Sequence, residues 1–433
     1  MRPPQTQRLL LLSSLVALAS AQTTLIVPHT DGSDDVPALT ALLSNTSNGP
    51  GSYTSEASII FSANTTYNVW SPLVFPELND VEVRIEGNLT YPENITLVQE
   101  YVGASNYMGA WITFTGGKNV TLSGSRDPTQ GWMNGNGQLW WDIAQQTNRP
   151  YGWLFGNITG GVIRNLKVYK PIAWNFITTG STDLLVYNNT ILAGSSNASA
   201  YPFNTDGFVA QGNNQVYESN YVVNGDDCIR IADQSMNITW RNGYCEGSHG
   251  LSVGSLGASG ADSMIMNVLF ENSIMNHTLY AARFKSWTGG NGIAANITWR
   301  NVLFNDVMFP IYVTQNYWDQ SLGPKPNASN VNETHISNLL FENFAGSVND
   351  IPGYQDGSCV SDPCWYYVAN ATGKEVVIFD LYPGSATNVV AQNLFGTTVT
   401  GAPIAAMCNT STISTEVGFV CQDGPYIPTS LGW

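Results

Sequence analysis

The phrase NITWRNGYC, residues 237–245, returns as NITWRNVLFNDV at residues 296–307, and the two belong to a larger set. NVTLSGS from Asn119, GVIRNLKVYK from Gly161, DLLVYNNTIL from Asp183, NQVYESNYVV from Asn214, MIMNVLFENSIM from Met264 and ISNLLFENFAG from Ile336 share its make-up. Each is short and β-rich, and each begins or turns on Asn or Gly. From Gly161 through Asp183, Asn214, Asn237 and Met264 to Asn296, the starts are separated by 22, 31, 23, 27 and 32 residues. A period in the twenties, with loops inserted and two or three short strands per unit, is the signature of a solenoid.

Leucine-rich repeats and helical arrays would show leucine ladders or a 3.6-residue period, and a β-propeller about 40 residues per blade; the chain has none of these. The pattern predicts an all-β protein, a right-handed parallel β-helix, in which residues one turn apart stack about 4.8 Å from one another. The one helical candidate outside the N-terminal segment is DDVPALTALLSN, Asp34 to Asn45, expected to cap the first coil and cover its open edge. No linker or low-complexity stretch marks a second domain, so residues 22–433 read as one.

The composition agrees. Only 11% of residues are charged and 43% are hydrophobic, which excludes a disordered chain. The remaining polarity comes largely from Asn, Thr, Ser and Gly, residues suited to turns and to stacked strands in which like charges in register would repel. MRPPQTQRLLLLSSLVALASAQ carries Arg2 and Arg8, an apolar run from Leu9 and a small-residue site at Ala19-Ser20-Ala21. Residues 1–21 therefore read as a secretory signal peptide, and no later segment reaches roughly 18 uninterrupted apolar residues. The expectation is an exported protein with no membrane span. About fifteen Asn-X-Ser/Thr sequons suit the same pathway.

Six cysteines in an exported chain read as three disulfides. Fifteen pairings exist, and spacing favours Cys228–Cys245, Cys359–Cys364 and Cys408–Cys421. Metal binding is disfavoured, because the cysteines are scattered, no CxxC occurs and the four His do not flank them. The formal charge of −16 argues against nucleic acid and an anionic membrane surface. It does not exclude a polyanionic substrate, since a few local cations can govern a site.

Four polar clusters align on the repeat: FNTDGF with Asp206, NGDDC with Asp226 and Asp227, GSHGLSVGSLG with His249, and ARFKSW with Arg283 and Lys285. Their separations are each about one coil, the last with a loop, which puts three carboxylates, an imidazole and two cations on one face. Glycoside hydrolysis wants this set: one carboxyl to protonate the leaving oxygen and another to activate water. Crowding keeps one of several carboxyls protonated, an imidazole can share that proton, and an Arg/Lys pair can grip a sugar carboxylate. The bland readings are a solvated Asp-Asp turn, a loop histidine, and cations that merely share an exposed strand face. Alignment of all four clusters favours the functional reading, an enzyme acting on an acidic polysaccharide.

NTDG, GDDC, GHGLSVGSLG and RFK, in this order and spacing, resemble the signature segments of glycoside hydrolase family 28, the polygalacturonases and their relatives. The resemblance, extended by the coil pattern over most of the chain, implies an inverting hydrolase of pectic polysaccharide that needs no metal or other cofactor and acts as a monomer. By motif it implies Asp226 as general acid, Asp206 and Asp227 as holders of the attacking water, and His249 as support for the acid's proton. It further implies Arg283 and Lys285 as ligands of the galacturonate carboxylate, Asn204 as an organiser of the site, and Tyr317, in YVTQNYW, as a sugar contact. The family's RIK is RFK here. Gly225 and Val209 depart from the endo-acting members, and Gly-Asp-Asp with NGNGQLWWD, Asn134 to Asp142, is more similar to the exo-acting branch, which implies release of galacturonic acid. Xylogalacturonan and rhamnogalacturonan chain ends remain open as substrates. A polysaccharide lyase and a non-catalytic carbohydrate-binding β-helix are the rival classes.

Overall fold

The structure, a computed structural model, describes residues 23–44, 53–319, 333–413 and 415–421. The expected signal peptide lies outside these residues. Every strand-to-strand pairing between the named strands is parallel, and the strands run in coils that climb along one axis. Among the described residues no helix is long and apolar enough to cross a membrane.

The repeated phrase shows how the coil is made. In NITWRN, Ile238 and Trp240 of the first copy, and Ile297 and Trp299 of the second, point inward and are fully buried. The arginines between the turns face out, Arg241 to Glu218 and Arg300 to Glu271. This is the two-residue alternation of a strand with one face on a core. The inward row continues from coil to coil as Ile163, Val186, Tyr217, Trp240, Phe270, Trp299 and Phe341. Trp299 stacks between Phe270 and Phe341, with ring centroids 5.0 and 4.6 Å away.

The asparagines that open and close each phrase adopt left-handed backbone: Asn237 at φ 59°, Asn242 at 55°, Asn296 at 58° and Asn301 at 56°. Asn is the side-chain-bearing residue that best tolerates this region. Stacked at one spacing, their amides also bond to one another along the axis. Asn237 donates to Asn214, Asn267 to Asn237, Asn296 to Asn267, Asn338 to Asn296 and Asn388 to Asn338, at 2.8–3.1 Å. A second ladder runs through Asn242, Asn272, Asn301, Asn343 and Asn393. The Asn-rich composition is therefore the turn chemistry of the solenoid.

A second sheet lies across the coil from these turns. Its outward row is Val74, Thr113, Leu154, Ile177, Val209, Arg230, Ser252, Arg283, Tyr312, Ile378 and Met407, each the direct partner of the next. Formal charges enter this row at only two places, Arg230 and Arg283, two rungs apart.

The expected capping helix forms over Val36–Leu43, with Val36, Leu39 and Leu43 buried. It is not the only helix. Ile95–Val102 is helical because Asn94 accepts from the Leu97 amide as its N-cap, and Gly137–Asp142 winds within the NGNGQLWWD stretch with Trp140 and Trp141 buried. Both sit in loops between strands, where an eight-residue and a six-residue helix are too short to stand out as a periodic pattern. The three expected disulfides are all formed, Cys228–Cys245, Cys359–Cys364 and Cys408–Cys421.

The Asn ladder yields a direct test. Asn267→Ala forces an alanine into left-handed backbone and removes two amide bonds, costing about 2–3 kcal/mol. Asn267→Gly removes the same bonds without that strain and should cost roughly 1 kcal/mol less. Chemical denaturation of the two variants measures the difference, and equal losses would contradict the turn assignment.

Candidate active site

The four motifs land on neighbouring rungs of the second sheet. Asp206 precedes strand Phe208–Ala210, Asp226 and Asp227 precede Ile229–Ile231, His249 precedes Leu251–Leu256, and Arg283 and Lys285 lie within Tyr280–Trp287. Backbone bonds carry the alignment into the turns. Gly207 N–H donates to the Asp227 carbonyl at 2.9 Å, His249 N–H to the Asp226 carbonyl at 2.8 Å, and Cys228 N–H to the Gly250 carbonyl at 3.0 Å. Gly207 must be glycine, since a Cβ there would meet the Cys228 carbonyl oxygen at 2.4 Å. The buried Cys228–Cys245 bridge closes a separation of 17 residues beside the acids, a tie worth about 3 kcal/mol by loop entropy.

Asp206, Asp226 and Asp227 each offer an oxygen within 4.8 Å of the others. Like charges at that distance must be offset, and each carboxyl has a different counter-group. Asp227, 1% exposed, accepts from Lys285 Nζ at 2.9 Å, from Arg283 Nη2 and from Ser252 Oγ. Burial works against its charge, but the Arg283 and Lys285 cations outweigh it and hold the carboxyl below its usual range. Asp226 is the most open of the three at 16%. Its Oδ1 lies 3.2 Å from His249 Nδ1, and its Oδ2 accepts from Asn204 Nδ2 at 3.0 Å. Burial again opposes ionisation, yet the imidazolium keeps this carboxyl far below the ordinary range. Burial likewise lowers His249, but the Asp226 charge prevails and raises it to about 9. The pair holds one proton between two groups.

Asp206 is different. It is 4% exposed, its Oδ1 is buried without a hydrogen-bond partner, and its nearest cation is Arg230, with Nε 3.7 Å from Oδ2. Burial first, and the charges of Asp226 and Asp227 next, push its carboxyl well above the usual range. Three carboxylates this close would also suit a divalent ion, but here the protein's own cations face them.

Asn204 lies in left-handed backbone at φ 56° and its amide donates to Asp226 Oδ2. Arg283 and Lys285 face the same hollow as Tyr317, whose ring lies 5.4 Å from Lys285 Nζ. Their main partner is Asp227, a pairing that shared strand position alone does not reveal.

Several groups at the site were missed by the sequence reading. Arg149 donates to the Phe203 carbonyl at 2.9 Å and to Asn204 Oδ1 at 2.8 Å, bracing the loop that carries Asp206. Arg230 lies in NGDDCIRI itself. Its guanidinium is 4.5 Å from the Trp174 ring, which stacks on Tyr151 at 4.4 Å, and its Nε makes no hydrogen bond. Tyr201 Oη reaches His249 Nε2 at 3.3 Å, Asp356 approaches that nitrogen at 3.5 Å, and Trp365 packs on the ring. Arg230's position on the repeat was a usable signal; Asp356 and Arg149 sit in loops without one.

Comparison with known proteins places these observations. The sequence pattern of glycosyl hydrolases family 28 matches residues 35–363. "Probable exopolygalacturonase C" of Aspergillus terreus is 36% identical over 422 residues, 94% of this chain and 93% of that one. A protein of the same name from Aspergillus niger is 37% identical over 388 residues, 87% of this chain and 86% of that one. The crystal structure of endo-xylogalacturonan hydrolase from Aspergillus tubingensis superposes with a TM-score of 0.70 at 22% identity, covering 93% of this chain and 99% of that one. The shared fold is the right-handed parallel β-helix.

The unequal surroundings of the adjacent aspartates predict unequal costs. Asp227→Asn strands Arg283 and Lys285 in a buried site and should destabilise the protein by about 3–5 kcal/mol. Asp226→Asn removes a contact to one titratable partner and should cost clearly less. Denaturation midpoints of the two variants decide, and equal losses would contradict the assignment of both cations to Asp227.

Proposed function

The chain belongs to glycosyl hydrolases family 28, and on that premise we propose that it hydrolyses α-1,4-galacturonosyl linkages of pectic polysaccharide from a chain end, releasing galacturonic acid. The observation that carries the reading is the trio of carboxyls held in different states by different cations. Hydrolysis needs one group that gives a proton and one that takes a proton from water. The Asp226–His249 pair supplies the first, because Asp226 is the more open carboxyl and the imidazolium beside it replenishes its proton. Asp206 is assigned the second, because its buried Oδ1 accepts from no protein group and is left free to accept from a water. Asp227 has most of its acceptor capacity committed to Lys285, Arg283 and Ser252, so its main work is to fix those cations. Their remaining hydrogens, with Tyr317, face the sugar carboxylate.

Arg230 adds a further cation beside Asp206, stacked on an aromatic wall and with hydrogen-bonding capacity to spare. A uronate carboxylate is the ligand such a group suits, while a neutral sugar would leave it unsatisfied. This favours a homogalacturonan over a chain that alternates with rhamnose.

Exo action is supported by what covers the outward row beyond Arg283. Tyr312 and Ile378 are buried in a cluster with Trp365, Tyr366 and Val368 of the segment 349–374, which stands over the rungs where an extended chain would otherwise continue. The names of the relatives point the same way. The reading also takes the protein to be exported and to work as a monomer, and three disulfides suit an oxidising compartment.

With hexagalacturonate as substrate, monogalacturonate should be the only small product at the earliest times, and a ladder of oligomers would contradict exo action. The kcat–pH profile should be a bell, with an acid limb above the ordinary carboxylate range from Asp206 and an alkaline limb near 9 from the Asp226–His249 pair. Arg230→Gln removes the cation that lowers Asp206, so it should move the acid limb to higher pH, leave the alkaline limb in place and raise KM. An unmoved acid limb would contradict the pairing of Arg230 with Asp206.

A further inference from the structure

His249 is held from both sides, and one side comes from outside the coil. The chain leaves the helix after strand His335–Val348 and returns at Glu375–Asp380, and the excursion between them carries Asp356 to the far edge of the imidazole. Asp356 is fixed there by its own segment. Its amide donates to Tyr366 Oη at 2.9 Å, its Oδ1 accepts from the Ser358 amide at 2.9 Å and from Ser358 Oγ, and Trp365 Nε1 donates to Ser358 Oγ at 3.2 Å. The Cys359–Cys364 bridge closes the loop between these residues. Tyr366 and Trp365 pack with Leu279, Tyr280, Phe309 and Ile378, a small apolar cluster outside the main core that anchors the excursion to the sheet.

The groups facing the imidazole are then few. Asp226 Oδ1 is 3.2 Å from Nδ1, Asp356 Oδ1 is 3.5 Å from Nε2, and Tyr201 Oη is 3.3 Å from Nε2. Trp365 covers one face with ring centroids 5.4 Å apart, and the Arg283 guanidinium lies 5.8 Å from that indole. A carboxylate thus stands within ion-pair distance of each ring nitrogen, with the Tyr201 hydroxyl as the hydrogen-bond partner of Nε2, and the ring cannot turn over without leaving these groups.

We propose that Asp356 is a positioning residue for the hydrolysis: delivered by the disulfide-closed excursion, it orients the His249 imidazole so that the Nδ1–H is presented to Asp226. It acts through His249 and does not touch the sugar. The logic is that of any carboxylate that fixes the tautomer and direction of a histidine whose other nitrogen does the chemistry. The electrostatics agree, since Asp356 adds to the Asp226 charge in raising His249, and His249 in turn helps to keep Asp356 below the usual carboxylate range against the effect of its burial. The proposal rests on the Asp226–His249 reading above.

The test is kcat and KM on polygalacturonate across pH for Asp356→Asn, Asp356→Glu, His249→Gln and the double variant H249Q/D356N. Asn keeps the shape of Asp and an acceptor for Ser358, so the excursion retains its anchor. Asp356→Asn should lower kcat about 10- to 100-fold with KM changed less than about threefold, and should shift the alkaline limb to lower pH by about one unit. Asp356→Glu should recover most of both. The double variant should be no slower than His249→Gln, because both changes break one path. An unmoved alkaline limb in Asp356→Asn, or a further loss in the double variant, would overturn the proposal. Wild-type kcat in His249→Gln would overturn the Asp226–His249 reading itself and the proposal with it, an outcome told apart because it appears in the single variant.

Discussion

Parallel register between coils is the constraint on which everything else depends. Once Val209, Arg230, Ser252 and Arg283 are successive partners, residues 21 to 31 apart in sequence stand about one strand spacing apart in space. The register is enforced on the opposite side of the coil by left-handed asparagines and their amide ladders, and inside it by stacked aromatics such as Phe270, Trp299 and Phe341. A slip by one residue would turn every inward side chain out. The active site is thus built by the same repetition that builds the core, and the Cys228–Cys245 bridge secures the two coils that matter most.

Crowding three carboxyls is stable only because the site concentrates cations. Four of the chain's sixteen Lys and Arg, Arg149, Arg230, Arg283 and Lys285, lie at or beside it, and His249 joins them as an imidazolium. Against these five stand four carboxyls, Asp226, Asp227 and Asp356 held below the usual range and Asp206 pushed above it, so the cations outnumber the anions whether or not Asp206 is ionised. A chain with a net charge of −16 thereby presents a locally positive site, which reconciles its overall acidity with a polyanionic substrate. The division of labour among the acids follows from the same arrangement. Asp227 is paired with two cations, Asp226 with the titratable His249, and Asp206 only loosely with Arg230, and the roles proposed for the three acids rest on that difference.

Much of this was legible in the sequence because the fold is periodic. The phrases on Asn and Gly gave the coil length, and the coil length aligned NTDG, GDDC, SHG and RFK without reference to any structure. Pairing preferences within the aligned face were not legible: strand position says that Arg283 and Lys285 share a side with Asp227, and only geometry says that Asp227 binds both. The helices Ile95–Val102 and Gly137–Asp142, and the approach of Asp356 to His249, lie in loops whose course the period does not fix. Arg230 is the instructive intermediate, placed by the repeat yet easily passed over beside two aspartates.

The proposed reaction is inverting: the recessed Asp206 directs a water, and no carboxylate attacks the sugar. Carboxyl spacing alone would suggest otherwise, since the oxygens approach within 4.8 Å and inverting pairs are usually set farther apart. The burial of Asp206 and the saturation of Asp227 argue that neither reaches the anomeric carbon. Proton NMR of the first galacturonate released, recorded before mutarotation, tests this directly. An inverting reaction gives the β anomer from the α-linked substrate; the α anomer would mean a covalent intermediate and would rule out water as the first nucleophile.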